Sequence, residues 1–459
     1  MVLSWSLWAP LAISAANAIE LQIDSADSIK QAASTIAYDM MATYTGNNTG
    51  DNPGNLPQPY YWWETGAMFM HMVDYNYYTG DPSYNQATIQ AMSWQGGTNG
   101  EFMPTNQTKD EGNDDQVFWA FATMTAAEFK FPPPPVGYPS WTAMSQAVFN
   151  LQAERWDPGT CGGGLRWQIQ PYAAGYAYKN IASNGGFFQL AARLARYTGN
   201  QTYVDWSEKM WNWIEGSSLY IPNTPQGTRI ADGTGVGTNC TEPNTSGVFS
   251  YNYGILIGGL AYIYNHTEEK KWLEPLYGIL NGTFNIFFHD SSKVIQEVGC
   301  EPYNDCSTDG LTFKSFTIRW LVLCAQLVPQ TADMIWPYIQ ASAQGAAGQC
   351  SGPDNSNCGY HWLTTTWDGT TGVGQQMSAL AAVQANMLLV NDLYAPVTLK
   401  TGGTSKSDGT AGTTGNVPSD STSPWLTKKI TTGDKAGAGI LTAIILAFTL
   451  GGTYWLVSN

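Results

Sequence analysis

The sequence predicts an all-α fold, an (α/α)6 toroid in which six helical hairpins close into a ring. Between residues 25 and 395 we count twelve segments with helical periodicity. The connections between these segments alternate between short turns and long loops rich in Gly, Asn, Pro and Cys. Alternating connections of this kind make helical hairpins, and stacked hairpins bury a continuous core between neighbours. The competing interpretation is an irregular helical bundle or solenoid.

The twelve helical segments differ in how much of their surface we expect to be buried. Segment 202–215 has Tyr and Trp residues on one face and charged residues on the other, so it predicts a half-exposed helix. Segments 113–129 and 251–265 are apolar nearly all round, and we expect them to be covered on every side. The predicted helices lie near 25–44, 64–79, 83–94, 113–129, 140–155, 182–197, 202–215, 251–265, 269–286, 310–327, 332–346 and 375–394.

The short connections are tight helix–helix turns. Segments 77–84 and 196–203 share a Tyr-Thr-Gly pattern, with Gly as the expected helix-ending residue, and 264–272 is a looser copy. In a closed ring every second helix lies inside, and all long loops fall at the end where the inner helices begin. Long loops inside a compact domain are usually functional, so we expect the functional site at this end. The long loops lie near 45–63, 95–112, 156–181, 216–250, 287–309 and 347–374.

Composition narrows the classes of ligand. The 459 residues carry a net charge of −16, which argues against a nucleic-acid partner. Only 12% of residues are charged, whereas 13% are aromatic, with 19 Trp and 25 Tyr. This balance suits a neutral ligand with flat apolar faces, such as a sugar. An aromatic-rich helical core is the alternative explanation, and composition does not separate the two.

Both ends of the chain resemble processing signals. Residues 1–18 are apolar and end in Ala16-Asn17-Ala18, a pattern typical of a signal peptide. The helical domain would then span 19–396, followed by a Gly/Ser/Thr-rich linker at 397–434 and a hydrophobic tail at 435–459. Small polar residues before a hydrophobic terminus are typical of a GPI-anchor signal, and a membrane helix is the alternative. We therefore expect a protein secreted to the cell surface, on the outer leaflet of the plasma membrane or in the cell wall.

Sequons and cysteines support secretion independently. Cys300 with Cys306 and Cys350 with Cys358 are close in sequence, which favours these pairs and leaves Cys161 for Cys240, although 15 connectivities are possible. The seventh cysteine, Cys324, lies in an apolar helical segment and is predicted to be a buried free thiol. Seven predicted N-glycosylation sites are Asn47, Asn106, Asn200, Asn239, Asn244, Asn265 and Asn281.

Two adjacent carboxylates stand where a predicted inner helix begins. Asp114 and Asp115 directly precede a run of aromatic and small apolar residues. One aspartate is explained by capping of the helix N-terminus, but two in succession are less easily explained, because each raises the pKa of the other in a poorly hydrated site. One ionised and one protonated carboxyl group are what glycosidic bond cleavage requires. Adjacent helical positions favour the carboxyl separation of about 5–5.5 Å that is found in retaining enzymes.

These residues also carry a resemblance to a known family. The sequence resembles glycoside hydrolase family 76, the endo-α-1,6-mannanases, and in particular its fungal GPI-anchored branch associated with cell-wall assembly. The motif GNDDQVFWAFATMTAAE at 112–128 is the most specific, and YYWWETGAMF, CGGGLRW, YKNIASNG, SYNYGILIGG and DGLTFKSFTIRW support it. The resemblance covers about residues 20–395. It implies an (α/α)6 fold, with Asp114 as nucleophile and Asp115 as general acid/base.

The resemblance also implies partners and an activity. The substrates would be α-1,6-mannose-containing glycans, either mannan or the glycan of a GPI anchor. If wall glucan instead of water attacks the intermediate, the enzyme is a transglycosidase, since hydrolysis and transfer share that intermediate. A non-catalytic mannan- or GPI-glycan-binding wall protein is the alternative from another class. A polysaccharide lyase would need basic residues to bind uronic acids. The segments at the end of the ring where the inner helices begin, which we call the mouth, are poor in basic residues.

Further polar and aromatic residues are predicted at the mouth. The pair Trp62 and Trp63 could stack on sugar faces or belong to the core. Asn180 and Asn184 could bind sugar hydroxyls or cap a helix. Asp309 and Lys314 resemble family residues that face the sugar, and a structural ion pair is the alternative.

We predict neither a cofactor nor a metal ion. The four histidines, at 71, 266, 289 and 361, have no metal-ligand spacing. The acidic loop 301–310 lacks a recognised Ca²⁺-ligand pattern.

Overall fold

The computed structural model describes residues 18–97, 99–107, 109, 111–403 and 442. The predicted signal peptide at 1–18 lies outside the described residues except for its last residue, Ala18. The predicted linker is described only as far as residue 403, and the predicted GPI-anchor signal at 435–459 lies outside apart from Thr442. None of the described helices is both long and apolar enough to span a membrane.

All twelve predicted helices are present, with ends within a few residues of the predicted ones. The last predicted helix, 375–394, is shorter than expected, because α12 stops at Ala385 and only the single turn α13 follows. The helices are Ala26–Met41 (α1), Trp62–Thr79 (α2), Asn85–Gln95 (α3), Asn113–Glu128 (α4), Trp141–Glu154 (α5), Ile181–Thr198 (α6), Gln201–Gly216 (α7), Ser250–Thr267 (α8), Leu273–Phe287 (α9), Phe313–Leu327 (α10), Ala332–Gly348 (α11), Val373–Ala385 (α12) and Met387–Val390 (α13).

The even-numbered helices from α2 to α12 form a closed inner ring. Each contacts the next in order, and α12 returns to α2. The odd-numbered helices α3 to α11 pack outside, and α1 completes the sixth hairpin by packing on α12. Close approach of inner helices depends on small residues: a Cβ atom added to Gly254 of α8 would lie 2.9 Å from the Thr317 Cα of α10. The structure is therefore the predicted toroid, in which the two ends of the domain supply one hairpin.

The tight turns between inner and outer helices have the expected geometry. Gly80 and Gly199 end α2 and α6 in the left-handed conformation, with φ of 74° and 70°. In the looser copy Glu268 takes this place with φ of 56°, a conformation that is less favourable for a residue with a side chain.

Within the described residues the long loops contain five short strands. The prediction that these connections are loops without strands was therefore wrong. Strands β1 (Tyr178–Asn180), β4 (Gly233–Gly235) and β5 (Pro243–Asn244) form an antiparallel sheet in the order β1-β4-β5, and β2 (Tyr220–Thr224) pairs with β3 (Gly227–Ile230). These strands are two to five residues long, too short for an alternating pattern to be recognised.

Three disulfides clamp the loops. They join Cys161 to Cys240, Cys300 to Cys306 and Cys350 to Cys358, the pairing that proximity in sequence favours. Cys324 is a buried free thiol, as predicted.

The predicted glycosylation sites differ in exposure. Asn47, Asn106, Asn200, Asn239 and Asn281 are exposed, whereas Asn244 and Asn265 are half-buried. The amide of Asn265 accepts a hydrogen bond from Arg196 Nε (2.7 Å) and donates one to the Leu327 carbonyl oxygen (2.8 Å). Asn265 is therefore a position whose amide nitrogen the fold already uses, as is Asn244, whose Nδ2 donates to Tyr178 Oη at 3.0 Å.

The end of the ring opposite the long loops is closed by buried ion pairs and by the last part of the domain. Arg193 pairs with Glu128 at 2.7 Å, and Arg319 pairs with Asp74 at 2.6 Å. The Val397 N–H donates to the carbonyl oxygen of Glu128, the last residue of α4, at 3.0 Å. Arg196, near the end of α6, donates to the Pro396 carbonyl oxygen at 2.8 Å. The chain thus leaves the domain at the closed end.

Candidate active site

The start of α4 is held in place by the loop that precedes β1. The Asn113 N–H donates to the Trp167 carbonyl oxygen (2.9 Å), and the Asn113 Nδ2 donates to the Arg166 carbonyl oxygen (2.9 Å). Asp114 and Asp115, the next two residues, are thereby fixed at the mouth of the ring. Both line the same cavity of about 410 Å³.

Asp114 lines this cavity and accepts two hydrogen bonds. Asn180 Nδ2 donates to its Oδ2, and the Asp115 N–H donates to its Oδ1, each at 3.0 Å. Burial raises the pKa of Asp114 to about 7, although both hydrogen bonds favour the ionised form, and the nearby Asp232 raises it further. Asp114 is the member of the pair with more hydrogen-bond partners that stabilise the carboxylate.

Asp115 is held in a different environment. Its Oδ2 accepts a 2.6 Å hydrogen bond from the Gly112 N–H, as an acid in the first turn of a helix can do. Burial and the neighbouring Asp114 charge raise the pKa of Asp115 well above its ordinary value. Asp115 therefore carries the proton when Asp114 is ionised. A Cβ atom at Gly112 would lie 2.3 Å from Asp114 Oδ1, which is why glycine precedes the helix.

Besides Asp305 and Asp309, Asp232 lines the same cavity, and its place there was not predicted. Tyr178 Oη donates to its Oδ2 at 2.9 Å, and Asn252 Nδ2 donates to its Oδ1 at 3.3 Å. Burial raises the pKa of Asp232. The residue lies between β3 and β4, in a stretch read from the sequence as loop.

Aromatic rings form much of the wall of this first cavity. They come from Trp63, Phe118, Trp167, Tyr178, Tyr251 and Phe313. Flat apolar rings beside carboxylates suit a sugar, which presents apolar C–H faces and hydroxyl groups together.

A second cavity of about 410 Å³ adjoins the first on the side of Asp115. Trp63, Trp167, Asp115 and Asp309 line both cavities, whereas Asp114 lines only the first of the two. The second cavity is completed by Tyr61, Trp62, Gln107, Glu111 and Gln168. Asp115 thus faces two adjoining spaces, and Asp114 faces one.

Four of the six predicted sugar-contacting residues lie at these cavities. Trp62 donates from Nε1 to Gln95 at 2.7 Å, and Trp63 donates to Asp309 Oδ1 at 3.1 Å. Burial raises the pKa of Asp309. Asn180 caps α6, because its Oδ1 accepts from the Ser183 N–H, and its Nδ2 donates to Asp114. Its contact with sugar hydroxyls stays a prediction.

The other two predicted residues, Asn184 and Lys314, lie behind the cavity wall and are fully buried. The amide of Asn184 accepts from the Leu165 N–H (2.6 Å) and donates to the Leu165 carbonyl oxygen (2.9 Å), which ties the preceding loop to α6. Lys314 pairs with Glu301 at 3.2 Å and stacks on the Tyr360 ring at 3.7 Å. Lys314 therefore forms the structural ion pair that was its alternative role.

No group of three or more His, Cys, Asp or Glu side chains with the geometry of a metal site occurs in the part of the chain that the structure describes.

The model of Glycosyl hydrolase family 76 matches residues 28–399. Mannan endo-1,6-alpha-mannosidase DCW1 of Saccharomyces cerevisiae is 45% identical over 442 residues, covering 96% of each chain. Mannan endo-1,6-alpha-mannosidase DFG5 of Candida albicans is 42% identical over 445 residues, again covering 96% of each.

Solved structures agree with the fold. Dfg5 from Chaetomium thermophilum in complex with glucosamine is 43% identical and has a TM-score of 0.78, covering 83% of this chain and 94% of that one. The α-1,6-mannanase GH76A of Salegentibacter sp. HEL1_6 has a TM-score of 0.62 at 17% identity, covering 79% of this chain and 99% of that one. At that identity the second likeness shows the fold alone.

Proposed function

The chain belongs to glycosyl hydrolase family 76, and on that premise we propose that it is a mannan endo-1,6-α-mannosidase which retains the configuration of the sugar. The observation that carries the mechanism is the unequal environment of the adjacent carboxyl groups. Asp114 accepts two hydrogen bonds that favour its ionised form, and Asp115 has the more strongly raised pKa, so it holds the proton. A nucleophile and a general acid are the two groups that retaining glycosidases need.

The reaction has two steps. In the first, the Asp114 carboxylate attacks the anomeric carbon of an α-1,6-linked mannose, while Asp115 donates its proton to the leaving glycosidic oxygen. This produces a covalent mannosyl ester on Asp114 and an ionised Asp115. In the second, Asp115 takes a proton from an incoming hydroxyl group, which attacks the anomeric carbon and releases Asp114.

The two cavities correspond to the two sides of the cleaved bond. The nucleophile must contact the sugar that stays bound, so the first cavity, which Asp114 lines, holds the glycone. The general acid must reach the bond oxygen between the two sugars. The second cavity, shared with Asp115 but not Asp114, therefore holds the leaving sugar and later the acceptor.

The acceptor can be water or another sugar, since both attack the same intermediate. We propose that the donor is an α-1,6-mannose-containing glycan, either mannan or the glycan of a GPI anchor, and that wall glucan is the physiological acceptor. The breadth of the second cavity and its aromatic residues Tyr61, Trp62, Trp63 and Trp167 support an acceptor larger than water.

Time-resolved NMR of α-1,6-mannotetraose cleavage tests this function. We expect the α-anomer of the product to form first and to equilibrate slowly with the β-anomer. Added β-glucan oligosaccharides should yield a mannosylated glucan in competition with hydrolysis. First appearance of the β-anomer would contradict the two-step mechanism, and absence of any cleavage would contradict the proposed activity.

We also propose that the protein is held at the cell surface through a GPI lipid. The support is the sequence of residues 397–459, where a small-residue linker precedes a hydrophobic tail. Phosphatidylinositol-specific phospholipase is expected to release the native protein from membranes. Mass spectrometry that found residues 440–459 in the mature protein would instead support a membrane helix.

A further inference from the structure

Glu111 is a buried acid that the reaction described above does not use. It lies two residues before α4 and lines the second cavity together with Asp115. Its side chain is 2% exposed, and within the described residues neither carboxyl oxygen has a hydrogen-bond partner. Buried polar atoms without a partner are rare in folded proteins, because they destabilise the folded state. The two unpartnered carboxyl oxygens of Glu111 lie beside a cavity, which indicates that a ligand bound there supplies their hydrogen-bond partners.

The nearby charged groups do not neutralise Glu111 by pairing with it. Arg155 is the cation near Glu111, but its Nη1 donates to Asn113 Oδ1 (2.9 Å) and to Gln116 Oε1 (2.7 Å). The acids Asp115 and Glu101 lie near enough to disfavour a second negative charge.

Burial is the main reason that the pKa of Glu111 is raised to about 9. The negative charges of Asp115 and Glu101 raise this pKa further, and the positive charge of Arg155 lowers it. At neutral pH the group is therefore a neutral acid, with one hydroxyl donor and one carbonyl acceptor. A neutral acid also places no additional charge beside Asp115, whose own proton is needed for catalysis.

We propose that the carboxyl group of Glu111 binds the sugar unit in the second cavity, donating one hydrogen bond to that sugar and accepting another. This proposal rests on the proposed function, because it takes the second cavity as the site of the leaving sugar and of the acceptor. Glu111 thereby selects a hydroxylated acceptor over water. No covalent step at Glu111 is involved.

Two substrates with the same glycone separate this role from a structural one. In α-1,6-mannotriose the leaving group is a mannose that fills the second cavity, and in α-1,6-mannobiosyl fluoride it is a fluoride ion that does not. For Glu111→Ala we expect kcat/KM to fall about tenfold with the mannotriose, the value of one to two hydrogen bonds. The loss with the fluoride should be less than threefold. Glu111→Gln keeps a donor and an acceptor and should recover most of the loss.

Glu101→Gln is the matched control. It removes a carboxylate close to Glu111 that does not line either cavity, and we expect the wild-type ratio of the two kcat/KM values. Should Glu111→Ala fold poorly, the pH profile provides the second measurement. The ratio of mannotriose to fluoride kcat/KM should fall in the wild type as pH rises through about 9, because Glu111 loses its donor. In Glu111→Gln only the part of this fall that comes from deprotonation of the general acid Asp115 should remain, so the fall should be smaller than in the wild type.

Equal losses on both substrates in Glu111→Ala, or an identical pH profile in wild type and Glu111→Gln, would overturn the role of Glu111. Failure of the wild type to cleave either substrate would instead overturn the proposed function. The two failures are thus distinguishable in one set of assays.

Discussion

Asp114→Ala is expected to abolish turnover of α-1,6-mannosides and to prevent covalent labelling by a slow-turnover fluorinated mannoside. In the wild type, peptide mapping should find the label on Asp114, because its carboxylate forms the ester intermediate. Loss of the nucleophile of a serine protease lowers kcat on the order of 10⁶-fold. We expect a loss of at least about 10⁴-fold here, measured as kcat on the mannotriose.

The same variant distinguishes catalysis from helix stabilisation. If Asp114 only supported the first turn of α4, its replacement would lower the free energy of unfolding by about 0.5–2 kcal/mol and the wild type would form no adduct. Asp115→Asn should slow labelling without moving the label. An adduct on Asp115 would reverse the two assigned roles.

Asp115→Asn is expected to lower turnover of α-1,6-mannan by about 10²–10⁴-fold, the contribution typical of a general acid. Asparagine has no proton to donate to a sugar leaving group. A fluoride or activated aryl leaving group needs no proton, so such substrates should recover much of the first step. Full activity of this variant on mannan would remove Asp115 from the mechanism.

Stability measurements provide the control for Asp115→Asn. The pKa of Asp115 is raised in the folded protein, so this group favours the folded state most at pH below about 4, its value in the unfolded chain. That contribution is lost as pH rises towards the folded-state pKa. Asparagine does not titrate, and its oxygen can still accept from the Gly112 N–H. Relative to the wild type, the variant should therefore gain thermal stability as pH rises above about 4, which thermal melts would detect.

Much of the fold could be predicted because helical periodicity and helix-ending glycines are local signals. Gly80 and Gly199 mark turns whose left-handed conformation the structure contains. The short strands could not be predicted, because β1 pairs with β4 more than fifty residues away in sequence, and β5, which pairs with β4, is only two residues long.

The candidate site was predictable where residues are adjacent in the chain and less so where they are not. Asp114 and Asp115 were found because they are neighbours at a helix start. Asp232 reaches the same cavity from another loop, and nothing in its own neighbourhood indicates this. Asn184 and Lys314 were placed at the cavity because they stand near the starts of inner helices. Nearly every residue of those two helices, α6 and α10, is buried. The periodicity of apolar residues therefore does not show which face of the helix meets the cavity.

The path of residues 396–403 puts the exit of the chain far from the carboxylate pair. α4 runs from the carboxylate pair to Glu128, and its 16 residues cover about 24 Å. The chain leaves the domain beside Glu128, at the far end of that helix. A lipid attached beyond the linker, as proposed above, would therefore connect to the protein at the end opposite the carboxylate pair, and a polysaccharide could reach both cavities without passing the point where the chain leaves the domain.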